Sequence, residues 1–285
     1  MRWKDLRRSG NVRDVRGAGG GGVRLPVGRG GRVGGGLGAL VLIVLVLIFG
    51  GPEAVMQLLG GGGSAPSVDQ GQPLTANDET SDFVARVLGS TEDVWTNLFR
   101  QQGEVYQPPE LYVFDGAVQS TCGYASSASG PFYCPRDRRI YLDTAFFADL
   151  ARLGGPGDFA AAYVIGHEVG HHVQTLLGTA EQVRAAQQRL GEAEANRLQV
   201  AMELQADCYA GVWAYHANRA TRVLEPGDVE EGLGAAQAIG DDTLQRNAGR
   251  GVTPDSFTHG SARDRQRWLG LGLTGGDRSA CNTFN

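Results

Sequence analysis

The run His167-Glu168-Val169-Gly170-His171 holds the residues of this 285-residue chain best suited to chemistry. On a helix, residues four apart sit one turn above each other, so the imidazoles of His167 and His171 can converge on one ion. In an H-E-x-x-H pattern the glutamate is not a ligand. It stands beside the metal and takes a proton from water there, which assigns Glu168 the part of general base. His172 lies about 100° round the helix from His171 and is read as a packing or surface histidine.

The competing reading is an ordinary buried helix that happens to carry histidines. A third ligand decides between them, because a catalytic zinc takes three protein ligands and keeps one position open. "AMELQADCYAG" (residues 201–211) offers Glu203 and Asp207, four apart on an apolar helical run. Acids placed there are costly to bury unpartnered. Glu203 as third ligand, with Asp207 accepting a hydrogen bond from a ligand histidine, removes both costs; the alternative is an exposed acidic stripe. Gly166 and Gly170 point the same way. Glycine costs about 1 kcal/mol inside a helix, so the pair predicts close approach of another helix, one that brings the third ligand.

Several elements must position these residues. Asp158 can cap the helix that carries the histidines, and Gly178 can end it. Thr179 and Gln182 have capping-box spacing for the next helix, through "EQVRAAQQRLGEAEANR". Residues 198–219 read as helix again, and Pro226, Asp228 and Glu231 mark one more start. Upstream, apolar residues recur at helical spacing over 76–102, with a break expected near Gly89. "ELYVFDG" and "RRIYLDT" read as strands around a long loop or irregular hairpin, and 146–152 as a short helix. Helices outweigh strands, which predicts an α+β fold with a small sheet.

Charge is unevenly spread. The formal net charge is -5, but residues 1–36 carry nine Lys/Arg against Asp5 and Asp14, leaving 17 basic and 29 acidic residues beyond them. Residues 10–36 are Gly/Arg-rich and expected to be disordered. "GALVLIVLVLIFGG" follows, and residues 33–51 form an uncharged stretch of 19, long enough to cross a bilayer. It reads as an uncleaved transmembrane anchor; a cleaved signal peptide and a buried core helix are the alternatives. Positive charge stays cytoplasmic, which predicts the N-terminus inside and the acidic body outside. Basic residues placed before a membrane segment, on an acidic body, argue against nucleic acid as a partner. Four cysteines outside the cytosol imply two bridges. Cys122 and Cys134 flank a short Ser/Gly-rich turn and are paired, leaving Cys208 with Cys281; a four-cysteine zinc site is the alternative, though no C-x-x-C occurs.

"HEVGHHVQ", "ELQADCYAG", "FTHGSARDRQRW" and the opening "MRWKDLRRSGNV" together resemble the bacterial neutral zinc metallopeptidases, membrane-anchored proteins with a basic N-terminus. The resemblance covers most of the chain outside the glycine-rich stretches. More distantly, the pattern resembles the gluzincins. That implies zinc on His167, His171 and Glu203, with Glu168 as base. In integral-membrane members of that clan a T-H-P-S segment carries a histidine and, six residues on, an arginine. His259 and Arg265 hold that interval here, with Gly260 in place of the proline. His259 also suits an oxyanion donor on chemical grounds, against a local packing role, and Arg265 suits a site role or a structural ion pair. Resemblance further implies an edge strand that pairs with extended substrate, a part given to "RRIYLD". Phe146, Phe147 and Tyr141 line that cleft or fill the core.

The expected protein is a zincin-like α+β metallopeptidase preceded by one transmembrane helix. Residues 1–36 form a cytoplasmic tail, 37–59 the anchor and flank, 60–74 a flexible linker and 75–285 the extracytoplasmic peptidase domain with one zinc per chain. Its partners are a peptide or protein substrate and the membrane. A catalytically silent homologue, acting as an adaptor, is the rival function.

Overall fold

A computed structural model describes residues 1–16, 72–74 and 78–284. The fold is α+β and mostly helical. Strands β1 (Val12–Asp14), β2 (Gln72–Pro73), β3 (Glu110–Phe114), β6 (Phe132–Cys134) and β7 (Arg139–Asp143) form one sheet in the order β2-β1-β3-β7-β6. β3 runs parallel to both β1 and β7, while β2 and β6 run antiparallel to their neighbours. β4 (Ala117–Ser120) and β5 (Gly123–Ser126) make a separate hairpin. The helices are α1 (Glu79–Gln101), α2 (Ala145–Arg152), α3 (Asp158–Leu176), α4 (Thr179–Gln187), α5 (Glu192–Thr221), α6 (Asp228–Ala238), α7 (Asp241–Asn247) and α8 (Ala262–Gly275).

Strand alternation divides the core. Leu111, Val113, Ile140 and Leu142 join the helical core on one face. Tyr112, Phe114 and Tyr141 pack with Val118 and Ala125 of the hairpin on the other. Because successive strand side chains point to opposite faces, both faces of the central strands must be covered. Tyr141 is fully buried and stacks on Phe132, so it fills the core and lines no cleft. Phe147 also packs on the core, edge-on to Phe83. Both disulfides form as paired from sequence, Cys122–Cys134 and Cys208–Cys281.

Several expectations are corrected. Residues 1–16 are not a separate tail. Leu6 and Val12 are buried in the main core and Trp3 packs edge-on to Phe83. β1 pairs with β3, and the Met1 ammonium lies 2.7 Å from Asp158. The buried Glu92 carboxylate accepts from Arg7, Ser9 and Asn11. The basic, glycine-rich composition hid an apolar pattern confined to the first sixteen residues, and the folded body begins there rather than near residue 75. Gly89 does not break α1. Any Cβ on it would collide with the Arg7 carbonyl, so the glycine admits the N-terminal segment. The stretch read as one helix through 179–197 stops at Gln187, and α5 then runs unbroken from Glu192 to Thr221. Thr179 makes no side-chain cap. Gly157 is the cap position of α3, and Asp158 is its first residue. β7 is not an edge strand, since it lies between β3 and β6; among the described residues the edges are β6 on that side and β2 on the other.

The expected anchor, and the linker up to residue 71, lie outside the described residues. Among the described residues no helix is long and apolar enough to cross a membrane.

Candidate metal centre

Helices α3 and α5 cross where α3 has no side chains. A Cβ on Gly166 would lie 2.8 Å from the Trp213 ring, and one on Gly170 would lie 2.9 Å from the Ala206 carbonyl. The glycine pair thus meets the helix that carries Glu203, as its cost in a helix predicted. His167, His171 and Glu203 each offer a ligand atom, all within 4.8 Å of one another. The Nε2 of His167 lies 3.1 Å from Glu203 Oε2, and that of His171 lies 3.5 Å from Oε1. Gln199, one turn before Glu203, donates to Oε1 at 2.9 Å.

A second layer fixes these groups. Asp207 Oδ1 accepts from His167 Nδ1 at 2.7 Å and from the Tyr163 hydroxyl at 2.6 Å. Arg265 grips both Asp207 oxygens at 2.9 Å and donates to Tyr163 at 3.1 Å. Arg265 and Asp207 are buried, so each satisfies a charge the other could not leave bare. Arg265 is therefore both ion-pair partner and part of the site. Burial works against the charged form of Asp207, but Arg265 and His167 outweigh it and hold the carboxyl down near 2. Burial likewise opposes a charged His167, yet Asp207 and Glu203 raise it to about 10. Two imidazoles and a carboxylate converged in this way match the three-ligand pattern of a catalytic zinc.

Glu168 is buried beside the cluster, and burial raises its pKa. Strand β6 packs against α3, with the Tyr133 backbone N–H near enough to the Glu168 carboxylate to oppose that rise. His172 is 1% exposed and faces away from the cluster. Its Nε2 lies 2.6 Å from the Gln107 carbonyl, which can only accept, so Nδ1 accepts from the Tyr133 hydroxyl at 3.1 Å. It is a packing histidine, and what it packs is the edge strand.

His259 sits at the start of the segment leading into α8. Asp241 accepts from the backbone N–H groups of Thr258, His259 and Gly260 at 2.7–2.9 Å, which shapes the turn. The imidazole is about half exposed, 3.4 Å from Asp241 Oδ1, and close enough to Glu203 for their charges to act on each other. Sequence reasoning missed Tyr163, Gln174, Gln199 and Asp241. Tyr163 and Gln199 each lie one turn before a residue of the cluster, which is the only signal they carried.

The family model described as "Putative neutral zinc metallopeptidase" matches residues 1–284. "Uncharacterized protein YpfJ" of Escherichia coli (strain K12) is 45% identical over 292 residues, covering 100% of this chain and 99% of that protein. "Uncharacterized protein Rv2575" of Mycobacterium tuberculosis (strain ATCC 25618 / H37Rv) is 42% identical over 235 residues, covering 78% of this chain and 77% of that protein. No solved structure matches.

Proposed function

The chain belongs to the neutral zinc metallopeptidase family, and from that premise we propose that it is a zinc-dependent endopeptidase. The observation that carries the reading is Glu168, a buried carboxylate one residue from a ligand histidine and against an edge strand. His167, His171 and Glu203 would hold one zinc. When bound, the metal supplies a Lewis acid that polarises a carbonyl and makes water more acidic. Glu168 takes the proton from water and delivers it to the leaving amine. Burial raises its pKa, which makes the carboxyl better able to hold the proton it transfers. The free edge of β6 offers main-chain groups to an extended peptide, which would bind with little sequence preference. His259, half exposed beside Glu203, would donate to the developing oxyanion.

Two disulfides support an extracytoplasmic address for the domain. Association with a membrane through the apolar stretch 33–51 is part of the same proposal.

The test is zinc content and hydrolysis of an unfolded protein substrate by the full chain, with and without Glu168→Gln. The variant should keep zinc and lose about 10²–10⁴-fold in turnover, the usual worth of a general base. Near-normal turnover would remove Glu168 from the mechanism, and the absence of hydrolysis by zinc-loaded wild type would favour the silent homologue.

A further inference from the structure

His167 leans on a charged partner, Asp207. His171 has a different one. Its Nδ1 lies 2.9 Å from Gln174 Oε1. Gln174 is fully buried, and its Nε2 donates to the Met202 carbonyl at 2.7 Å and to Gln205 Oε1 at 3.1 Å. Gln205, also buried, donates from Nε2 to the Cys281 carbonyl at 2.9 Å. Cys281 is fastened to α5 by its disulfide with Cys208.

The direction of every bond in this chain follows from its ends. A backbone carbonyl only accepts, so the Cys281 carbonyl requires the nitrogen end of Gln205, and the oxygen end then faces Gln174. The Met202 carbonyl requires the nitrogen end of Gln174 in the same way. That leaves the Gln174 oxygen facing His171, and an amide oxygen only accepts. His171 Nδ1 must therefore carry a hydrogen, and Nε2 is the atom turned toward Glu203. A buried network in which every group is satisfied rigidifies its members.

We propose that Gln174 is the positioning residue for His171, fixing its tautomer and ring orientation, and that the disulfide-anchored Cys281 carbonyl fixes Gln174 through Gln205. The consequence for metal affinity rests on the zinc reading above; the hydrogen on Nδ1 does not. The arrangement ties the C-terminal segment to one ligand of the cluster through two side chains.

The experiment uses the full oxidised chain, ¹⁵N-labelled at histidine, with two measurements. The first is the side-chain Nδ1–H resonance of His171 in metal-free protein, assigned by its loss in His171→Ala. The second is zinc affinity by chelator competition. Wild type should show a slowly exchanging Nδ1–H signal. Gln174→Met should lose it and bind zinc about 10–100-fold more weakly, as for other outer partners of ligand histidines. Gln174→Glu keeps an acceptor at His171 but has a donor for the Met202 carbonyl only when its carboxyl is protonated, so it should recover the signal and the affinity at low pH more than at high pH. A wild type without the protected signal would overturn the proposal, as would zinc affinity in Gln174→Met within twofold of wild type. Should Gln174→Met fail to fold, Gln205→Met releases Gln174 without touching His171, and unchanged protection and zinc affinity in it would overturn the relay. A protected signal in a wild type that binds no zinc would sink the metal reading and leave the relay standing.

Discussion

Gly170 packs against Ala206 so closely that a Cβ on the glycine would lie 3.0 Å from the alanine Cα. The first precedes His171 and the second precedes Asp207, so this contact, with Gly166 against Trp213, sets the distance between the two helices that carry the cluster. Gly170→Ala should raise helix propensity by about 1 kcal/mol and still destabilise, because overpacking a close crossing typically costs about 1–3 kcal/mol. The melting temperature of the metal-free protein and its zinc affinity should both fall. If both stay at wild-type values, the helix spacing is set elsewhere.

Zinc must displace a proton to bind. His167 sits between two carboxylates with its pKa raised to about 10, so it is charged at neutral pH in the metal-free protein. Calorimetry of zinc binding in buffers of different ionisation enthalpy should report release of about one proton at pH 7.5. Asp207→Asn removes the charge but keeps an acceptor for Nδ1. It should release less and bind zinc about 10–100-fold more weakly. Zero proton release in wild type would contradict the charged imidazole.

Burial holds His172 down to about 4 from an ordinary 6.5. The folded state therefore favours the neutral ring. Its contribution to stability is complete above pH 6.5, declines as pH falls, and is lost below the folded value, a difference of up to about 3 kcal/mol. In metal-free protein, His172→Gln cannot titrate and should lose less stability between pH 7 and 4.5 than wild type. Urea unfolding at the two pH values checks this; equal losses would show that the ring charges without cost.

If His259 donates to the oxyanion as proposed, His259→Ala should leave zinc content and melting temperature unchanged and lower kcat far more than it raises KM, because such a contact forms in the transition state. A variant with a lower melting temperature and unchanged kcat would reduce His259 to a turn residue tied to Asp241. Loss of zinc would make it a ligand.

The cluster was largely legible in the sequence. Helical phase separates His171 from His172, and two acids on an apolar helix need partners, so Glu203 and Asp207 followed from burial cost together with the histidine pair's need for a third ligand. Arg265 needed resemblance, since no local pattern joins it to Asp207 across 58 residues. Gln174 and Gln205 were not legible, because a buried amide reads as any polar residue until its carbonyl partners are placed. The edge strand went to the wrong segment for a related reason. "RRIYLD" has the stronger strand pattern because it is central, flanked on both sides, whereas a three-residue edge strand leaves almost no signature. The first sixteen residues were misjudged through averaging, since composition over 1–36 diluted Trp3, Leu6 and Val12 with glycine and arginine.

That docked N-terminus limits how the chain can be threaded through a bilayer. Arg13 pairs with Pro73 and Asp14 with Gln72, so the chain leaves the sheet and rejoins it on adjacent strands. While this pairing holds, residues 1–16 and 78–284 lie together on one side of any membrane the chain meets. Drawing them to opposite sides would part β1 from β3 and strip Leu6 and Val12 from the core.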